Sequence, residues 1–387
     1  MLVFQVPGLV LVALTLLAFF LLPTRCRLMV LIISGLLFYA WAGGSVLLLA
    51  VGLIVATYVA PPRVSIWINA AVLIGLMSYL KLRSGWLIVP EGPAGTGLAG
   101  FTLPLGLSFL TFELIHVAVE RQRGRLPNLS LAGLAAFALY FPCRMAGPIK
   151  RYQPFIDSVQ QAHGSWPQLY RGFTRVLWGY LKKVAVADVL VLLTPQLTYP
   201  TTTGPLLWVS LTAFSLYIYI DFSAYSDVAI GLSQAMGISV PENFRLPYFS
   251  RNIREFWTRW HISLSTWLGD YVYLPVAKRL TRSRWALNPK SAALVSYLIT
   301  FALCGLWHGP AWHFLLWGLY HGILLCAYAV YASSKSSRSA AGQDGSRTTA
   351  FLFRIVTFSL VTYGWLFFVL EPRMAFHVTR RLFGLGA

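Results

Sequence analysis

Acidic side chains are scarce. The 387-residue chain holds 12 Asp and Glu against 31 Lys and Arg, a formal net charge of +19, and charged residues of all kinds make up only 11%. Hydrophobic residues account for 57%. There is too little polar surface to clothe the two or three soluble domains that the length alone would permit, and the balance is that of a polytopic membrane protein. Cysteine is sparse as well: Cys26, Cys143, Cys304 and Cys326 stand far apart. None shows a CxxC or Cys/His ligand spacing, so neither a disulfide framework nor a metal site is indicated, and packing is their reading. The chain lacks a G-x-S-x-G elbow, a Walker A loop, a G-x-G-x-x-G turn and any internal repeat of fixed period. Nucleic acid is not an expected partner despite the positive charge. Lys and Arg gather in short clusters between apolar runs, as the positive-inside rule expects of cytoplasmic loops.

What is present is a succession of apolar runs near the ~17–25 residues that cross a bilayer. They fall at Leu2–Leu22, Met29–Ala60, Val64–Leu80, Phe101–Val119, Leu129–Met145, Gly172–Leu193, Leu206–Met236, Ala292–Trp307, Ala311–Tyr331 and Phe351–Leu370. The second is long enough for two spans broken near Gly43-Gly44. The expected fold class is an all-α polytopic membrane protein with roughly nine to eleven transmembrane segments, forming one integral membrane domain over residues 1–387. The N-terminal run has no basic n-region and no A-x-A-like cleavage site, and reads as a retained first span. Ala332–Ala350 is Ser-, Gly- and charge-rich and reads as a flexible polar loop before the final span at 351–370. A second polar zone, Lys278 to Lys290, carries Lys278, Arg279, Arg282, Arg284 and Lys290. If both basic loops lie on one face, the intervening stretch makes two passes, with its turn at "WHGPAW".

That stretch, "LCGLWHGPAWHFLLWGLYHGILL", holds three of the chain's seven histidines: His308, His313 and His321. Gly309-Pro310 breaks a helix there, since proline lacks an amide donor. Non-helical backbone at membrane depth survives only against protein or a water-filled cavity. An imidazole with an ordinary pKa of ~6.5 can take a hydroxyl proton at neutral pH, which makes His308 the candidate base. A hydrogen-bonded packing histidine is the plainer alternative. His313 reads as structural and His321 as a lining candidate, with Trp307 and Trp312 beside them.

Pro241 to Pro275 is the densest polar zone. Phe256, Trp260, Leu264 and Trp267 recur at helical spacing and predict one apolar stripe. An interfacial amphipathic helix snorkelling its arginines would explain the pattern. It would not explain His261 beside Trp260, followed by Ser263, Ser265 and Thr266, which suggest a lined cavity. Upstream, Asp221 and Asp227 lie in an apolar run. Their six-residue spacing points them to different faces, so ties to an arginine or a backbone amide are preferred over a shared-proton dyad or proton relay. Glu113 and His116 likewise read as helix-pairing residues.

The segments "PLGLSFLTFE" (Pro104–Glu113), "FPCRMAGPIKRY" (Phe141–Tyr152), "LKKVAVAD" (Leu181–Asp188), "YIDFSAYSDVAIG" (Tyr219–Gly231), "PENFRLPYFSRNIREFWTRWHISLSTW" (Pro241–Trp267) and "GLWHGPAWHFLLWGLYHG" (Gly305–Gly322) resemble the membrane-bound O-acyltransferase (MBOAT) family. They are most similar to its bacterial alginate O-acetylation branch, and the likeness covers a family-like core of about 104–322. The resemblance implies a helical barrel around a central acyl-transfer tunnel, with re-entrant or broken helices. It also implies that His308 is the family's essential histidine and His261 a second functional one. Trp307, Trp260, Trp312, Ser265, Asp221, Asp227 and His321 are then tunnel-lining or supporting candidates.

By the same resemblance no cofactor is bound and no metal is needed. The co-substrate is an acyl thioester, acetyl-CoA or a carrier-protein thioester, acting in the bacterial cytoplasmic (inner) membrane. The implied partners are the lipid bilayer, a periplasmic esterase-like acetyltransferase and the polysaccharide biosynthesis and export machinery. The chain departs from the alginate-type pattern in three places. Leu268-Gly269-Asp270-Tyr271 stands where relatives read F-R-D-Y, Val276-Ala277-Lys278-Arg279 replaces Gly-Gly-Asn-Arg, and the part after the last apolar run is short. D-alanyl or longer-chain acyl transfer to a wall polymer, lipid or protein is the nearest alternative. A proton-coupled transporter is the alternative from another class, although the matched broken repeats of transporters are not seen.

Overall fold

The computed structural model describes residues 4–84, 106–199, 202, 204–282, 287–309, 311–336 and 347–385. Pro310, Arg284, Pro104 and most of the polar loop at 332–350 lie outside the described residues. Those that are described form helices α1 (Val6–Leu21), α2 (Arg27–Val59), α3 (Pro62–Ser84), α4 (Leu107–Gln122), α5 (Leu131–Leu139), α6 (Tyr152–Gln161), α7 (Trp166–Leu181), α8 (Asp188–Leu190) and α9 (Gly204–Ala235). They continue with α10 (Ile253–Arg259), α11 (Ile262–Leu268), α12 (Leu274–Arg282), α13 (Pro289–His308), α14 (Trp312–Ser336), α15 (Arg347–Val369) and α16 (Pro372–Leu382). The protein is all-α and polytopic. Among the described residues, five stretches are long and apolar enough to cross a membrane: Thr24–Trp41, Gly204–Ala235, Pro289–His308, Trp312–Ser334 and Arg347–Val369. Val6–Leu21, Val46–Val59 and Pro62–Leu76 are shorter apolar helices.

Three apolar runs fold differently from the sequence expectation. Met29–Ala60 is not two spans: α2 runs unbroken for 33 residues through Gly43-Gly44. Without water to compete for its amides, a helix in an apolar setting keeps its hydrogen bonds across glycine. Leu129–Met145 gives only the nine-residue α5. Phe141 precedes a proline, which disfavours the α conformation, and the chain leaves the helix at Tyr140 for a short 3-10 turn at Phe141–Cys143. Gly172–Leu193 is interrupted after α7 by a π-helical stretch, Lys182–Ala187.

The chain divides into two compact units. The first takes residues 1–79, 87–183 and 221–242, and the second 80–86, 184–220 and 243–387. In the first, Phe19, Leu110, Leu114, Phe137 and Phe155 are among the side chains of one apolar core. α7 and α9 touch backbone to backbone: a Cβ at Gly172 would meet the Gly231 carbonyl oxygen at 2.7 Å, and one at Gly231 would meet the Gly172 oxygen at 2.7 Å. Charge is buried here only with partners. Glu113 accepts hydrogen bonds from Arg144 and, at 2.5 Å, from Lys150 Nζ, and the three side chains are 0–1% exposed. The backbone amide of Tyr152 donates to His116 Nε2 at 2.9 Å, tying α4 to the start of α6.

In the second unit α13 and α14 form a hairpin, as the two-pass reading expects. A Cβ at Gly305 would sit 2.2 Å from the Phe314 carbonyl oxygen, and one at Gly318 would sit 2.1 Å from that of Phe301. The glycines therefore let the two backbones close up and set where α13 delivers its last residue, His308.

Candidate active site

The second unit gathers His261, His308 and His321 around stacked aromatic rings. α10 begins at Asn252, whose side chain accepts from the Glu255 amide at 2.8 Å, while Glu255 accepts from the Arg251 amide at 2.8 Å. Arg259 donates to the same carboxylate at 2.6 Å. Partial burial alone would push Glu255 upward. The Arg251 amide and the Arg259 and Arg251 guanidiniums outweigh it and hold the carboxyl below its ordinary value.

The single helical stripe expected over Phe256–Trp267 is broken after Trp260. His261 adopts the left-handed conformation, φ 42° and ψ 55°, uncommon for a residue with a Cβ and a mark of local strain. Two backbone hydrogen bonds hold the break: Ile262 N–H to the Asn243 carbonyl at 2.9 Å, and Arg245 N–H to the Arg259 carbonyl at 3.0 Å. Phe256, Trp260, Leu264 and Trp267 remain at most 5% exposed, so two short helices bury what one was expected to bury. The kink turns His261 into the interior, where it is 2% exposed.

Asn243 orients that ring. Its Oδ1 accepts from the Ser263 hydroxyl at 2.8 Å and from the Ser263 amide at 3.4 Å. An amide N–H only donates, which identifies the facing atom as the oxygen. His261 Nδ1, at 2.9 Å from the same oxygen, must then carry its proton, leaving Nε2 as the ring's acceptor. Asn243 was missed by the sequence reading. Its signal was slight: a lone asparagine in "PENF", eighteen residues before the histidine it serves.

His308 ends α13 half-buried. Its ring lies 4.6 Å from Trp307, 5.0 Å edge-on to Trp317 and 5.0 Å from Phe368, centroid to centroid. His261 lies in the same unit. Rings connect them: Trp317 stacks on Trp365 at 5.7 Å, and Trp365 meets Trp260 at 5.2 Å. His321 is fully buried, 5.0 Å from Trp317 and 5.3 Å from Trp257.

The other anticipated residues are placed as follows. Ser265 donates to the Trp260 carbonyl at 3.1 Å. Trp312 is 59% exposed and faces outward. His313 Nδ1 lies 3.3 Å from the Phe367 carbonyl oxygen. Asp221 and Asp227 belong to the first unit. Asp227 pairs with Arg175 at 3.0 Å and Lys182 at 2.5 Å, and Asp221 with Lys183 at 2.8 Å. Among the described residues no three His, Cys, Asp or Glu side chains gather as a metal site requires.

Known proteins match most of the chain. The model of the family described as "MBOAT, membrane-bound O-acyltransferase family" matches residues 65–371. The chain is 32% identical to "Probable alginate O-acetylase AlgI" of Pseudomonas aeruginosa over 388 residues, 94% of this chain and 71% of that protein. It is 33% identical to the protein of the same name from Azotobacter vinelandii, covering 95% of this chain and 75% of the relative. It is also 34% identical to "Teichoic acid D-alanyltransferase" of Bacillus subtilis, over 69% of each chain.

Proposed function

The chain belongs to the membrane-bound O-acyltransferase family, and on that premise we propose that it moves an acetyl group from a cytoplasmic thioester, across the bacterial inner membrane, to a hydroxyl of an exported polysaccharide. A periplasmic esterase-like transferase is the proposed relay, and acetyl-CoA or an acyl-carrier thioester the donor. His308 is the base. The acceptor oxygen attacks the thioester carbonyl carbon while its proton passes to the imidazole. The tetrahedral adduct then collapses, the C–S bond breaks, and the thiolate leaves with the proton that His308 returns. His261, its proton held on Nδ1 by Asn243, presents Nε2 to orient the acceptor or support the base.

The observation that carries this reading is the setting of His308. It is a partly buried imidazole at a helix end, ringed by Trp307, Trp317 and Phe368, where water is restricted and a preorganised base works best. Replacing His308 with Ala at unchanged membrane level is expected to lower transfer from labelled acetyl thioester by roughly 10²–10⁴-fold. Full acylation of the exported polymer by that variant would sink the assignment. The teichoic acid relatives favour D-alanyl transfer as a second reading. Acetyl and D-alanyl thioesters offered in parallel to vesicles holding the protein separate the two.

A further inference from the structure

Trp257, Trp317 and His321 form a triangle of rings whose centroids lie 5.3, 5.0 and 6.0 Å apart. They are 7%, 1% and 0% exposed. Among the described residues none of the polar atoms of these three side chains has a hydrogen-bond partner: neither indole N–H, and neither His321 nitrogen. Buried polar groups are almost always paired, so three together mark a place built for something else.

The unmet capacity has a definite chemistry. An indole only donates, and a neutral imidazole donates once and accepts once. The triangle therefore offers three N–H donors against one acceptor. Its walls are Phe256, 6.3 Å from His321, Phe301, 4.7 Å from Trp257, and Phe368, 5.3 Å from Trp317. These carry no counter-charge, and a donor-rich apolar cage selects an uncharged oxygen acceptor over an ion. Gly364 lets the backbone pack close against this corner: a Cβ there would sit 3.1 Å from His321 Nε2 and 2.9 Å from Tyr320 Cε1. Trp317 is shared with His308, whose ring stands edge-on to it at 5.0 Å.

We infer that Trp257, Trp317 and His321 form a polar cage that binds the carbonyl oxygen of the acyl thioester. This rests on the acyl-transfer reading and extends it. The base takes the hydroxyl proton, and the cage, which shares Trp317 with it, receives the carbonyl oxygen. As the hydroxyl oxygen bonds to the carbonyl carbon, the π pair moves onto the carbonyl oxygen. The donors meet the resulting charge in place, and when the pair returns the C–S bond breaks. Neutral donors aimed where charge develops stabilise the transition state more than the ground state.

The test uses the full-length chain in lipid nanodiscs with acetyl-coenzyme A carrying an isotope-labelled carbonyl. In the His308→Ala background, where donor accumulates unreacted, the bound carbonyl stretch is expected at lower wavenumber than in buffer. Trp257→Phe, Trp317→Phe and His321→Phe should each return it toward the solution value. With His308 intact, each should slow transfer by roughly a hundredfold. A shifted band that all three variants leave unmoved would overturn the cage, whatever their rates, and a variant that loses folded yield without moving the band would show a packing role only. The tryptophan changes keep most of the ring volume and carry the test if His321→Phe does not fold. Transfer persisting in His308→Ala would instead remove the base and leave the infrared result to stand alone.

Discussion

Glu113, Arg144 and Lys150 in the first unit, and Trp257, Trp317 and His321 in the second, are all at most 7% exposed, yet their polar groups are treated in opposite ways. The Glu113 carboxylate takes both cations, and Lys150 also lies 4.9 Å over the Phe137 ring. In the second unit the buried groups are neutral, aromatic and unpaired among the described residues. Each such group left without a partner costs about 1–3 kcal/mol. A charged cluster held by opposite charges fixes an irregular backbone segment, although Arg144 Nε and Nη1 have no hydrogen-bond partner among the described residues. A neutral cluster with no such tie is shaped for a visitor.

The sharpest way to break this contrast is Glu113→Ala. It leaves Arg144 and Lys150 buried without their shared anion, a loss of about 3–5 kcal/mol. Accumulation should collapse, read as the disappearance of a monodisperse peak in fluorescence-detected size exclusion. A normal peak would mean that the first cluster is not structural. Asn243→Ala probes the other side. It removes the acceptor that fixes the His261 proton, and misplacement of this order lowers turnover by about 10²-fold, with folded yield near normal. Yield falling in step with activity would make Asn243 a fold residue only.

The smallest effect is expected at Glu255, whose arginine partners are open to water and worth at most about 1 kcal/mol. Its carboxyl is held below the ordinary value in the folded protein. The stabilisation is therefore complete at neutral pH and fades as pH falls through that depressed value. Melting curves of wild type and Glu255→Gln should differ slightly at pH 7 and converge in acid. A gap that widens on acidification would reverse the sign.

The fold class was legible in the sequence because a bilayer demands long apolar runs, and α9, α13, α14 and α15 lie within a few residues of those runs. Helix interruptions were harder to read. The π-helical turn at Lys182–Ala187 and the left-handed His261 depend on partners far along the chain, which periodicity does not register. The ties of Glu113 and Asp227 to cations follow the rule that buried charge needs a partner, while Asp221 meets Lys183 where an arginine or a backbone amide was expected. The rings around His308 come from α13, α14 and α15 at once, and no local pattern joins Trp317, Trp365 and Phe368. Asn243 was missed for the same reason.

The length of α13 sets a travel distance. Its 20 residues rise about 30 Å, close to the thickness of a bilayer's hydrocarbon core. Lys290 stands at its start and His308 at its end, with Arg279 and Arg282 just upstream. If the basic end marks the side where the proposed thioester donor is made, the proposed base, His308, works almost a full membrane thickness away from it. An acetyl group spans only a small part of that depth. The carrier arm must then enter the protein and withdraw with each turnover, so release of the spent thiol becomes a candidate for the slowest step.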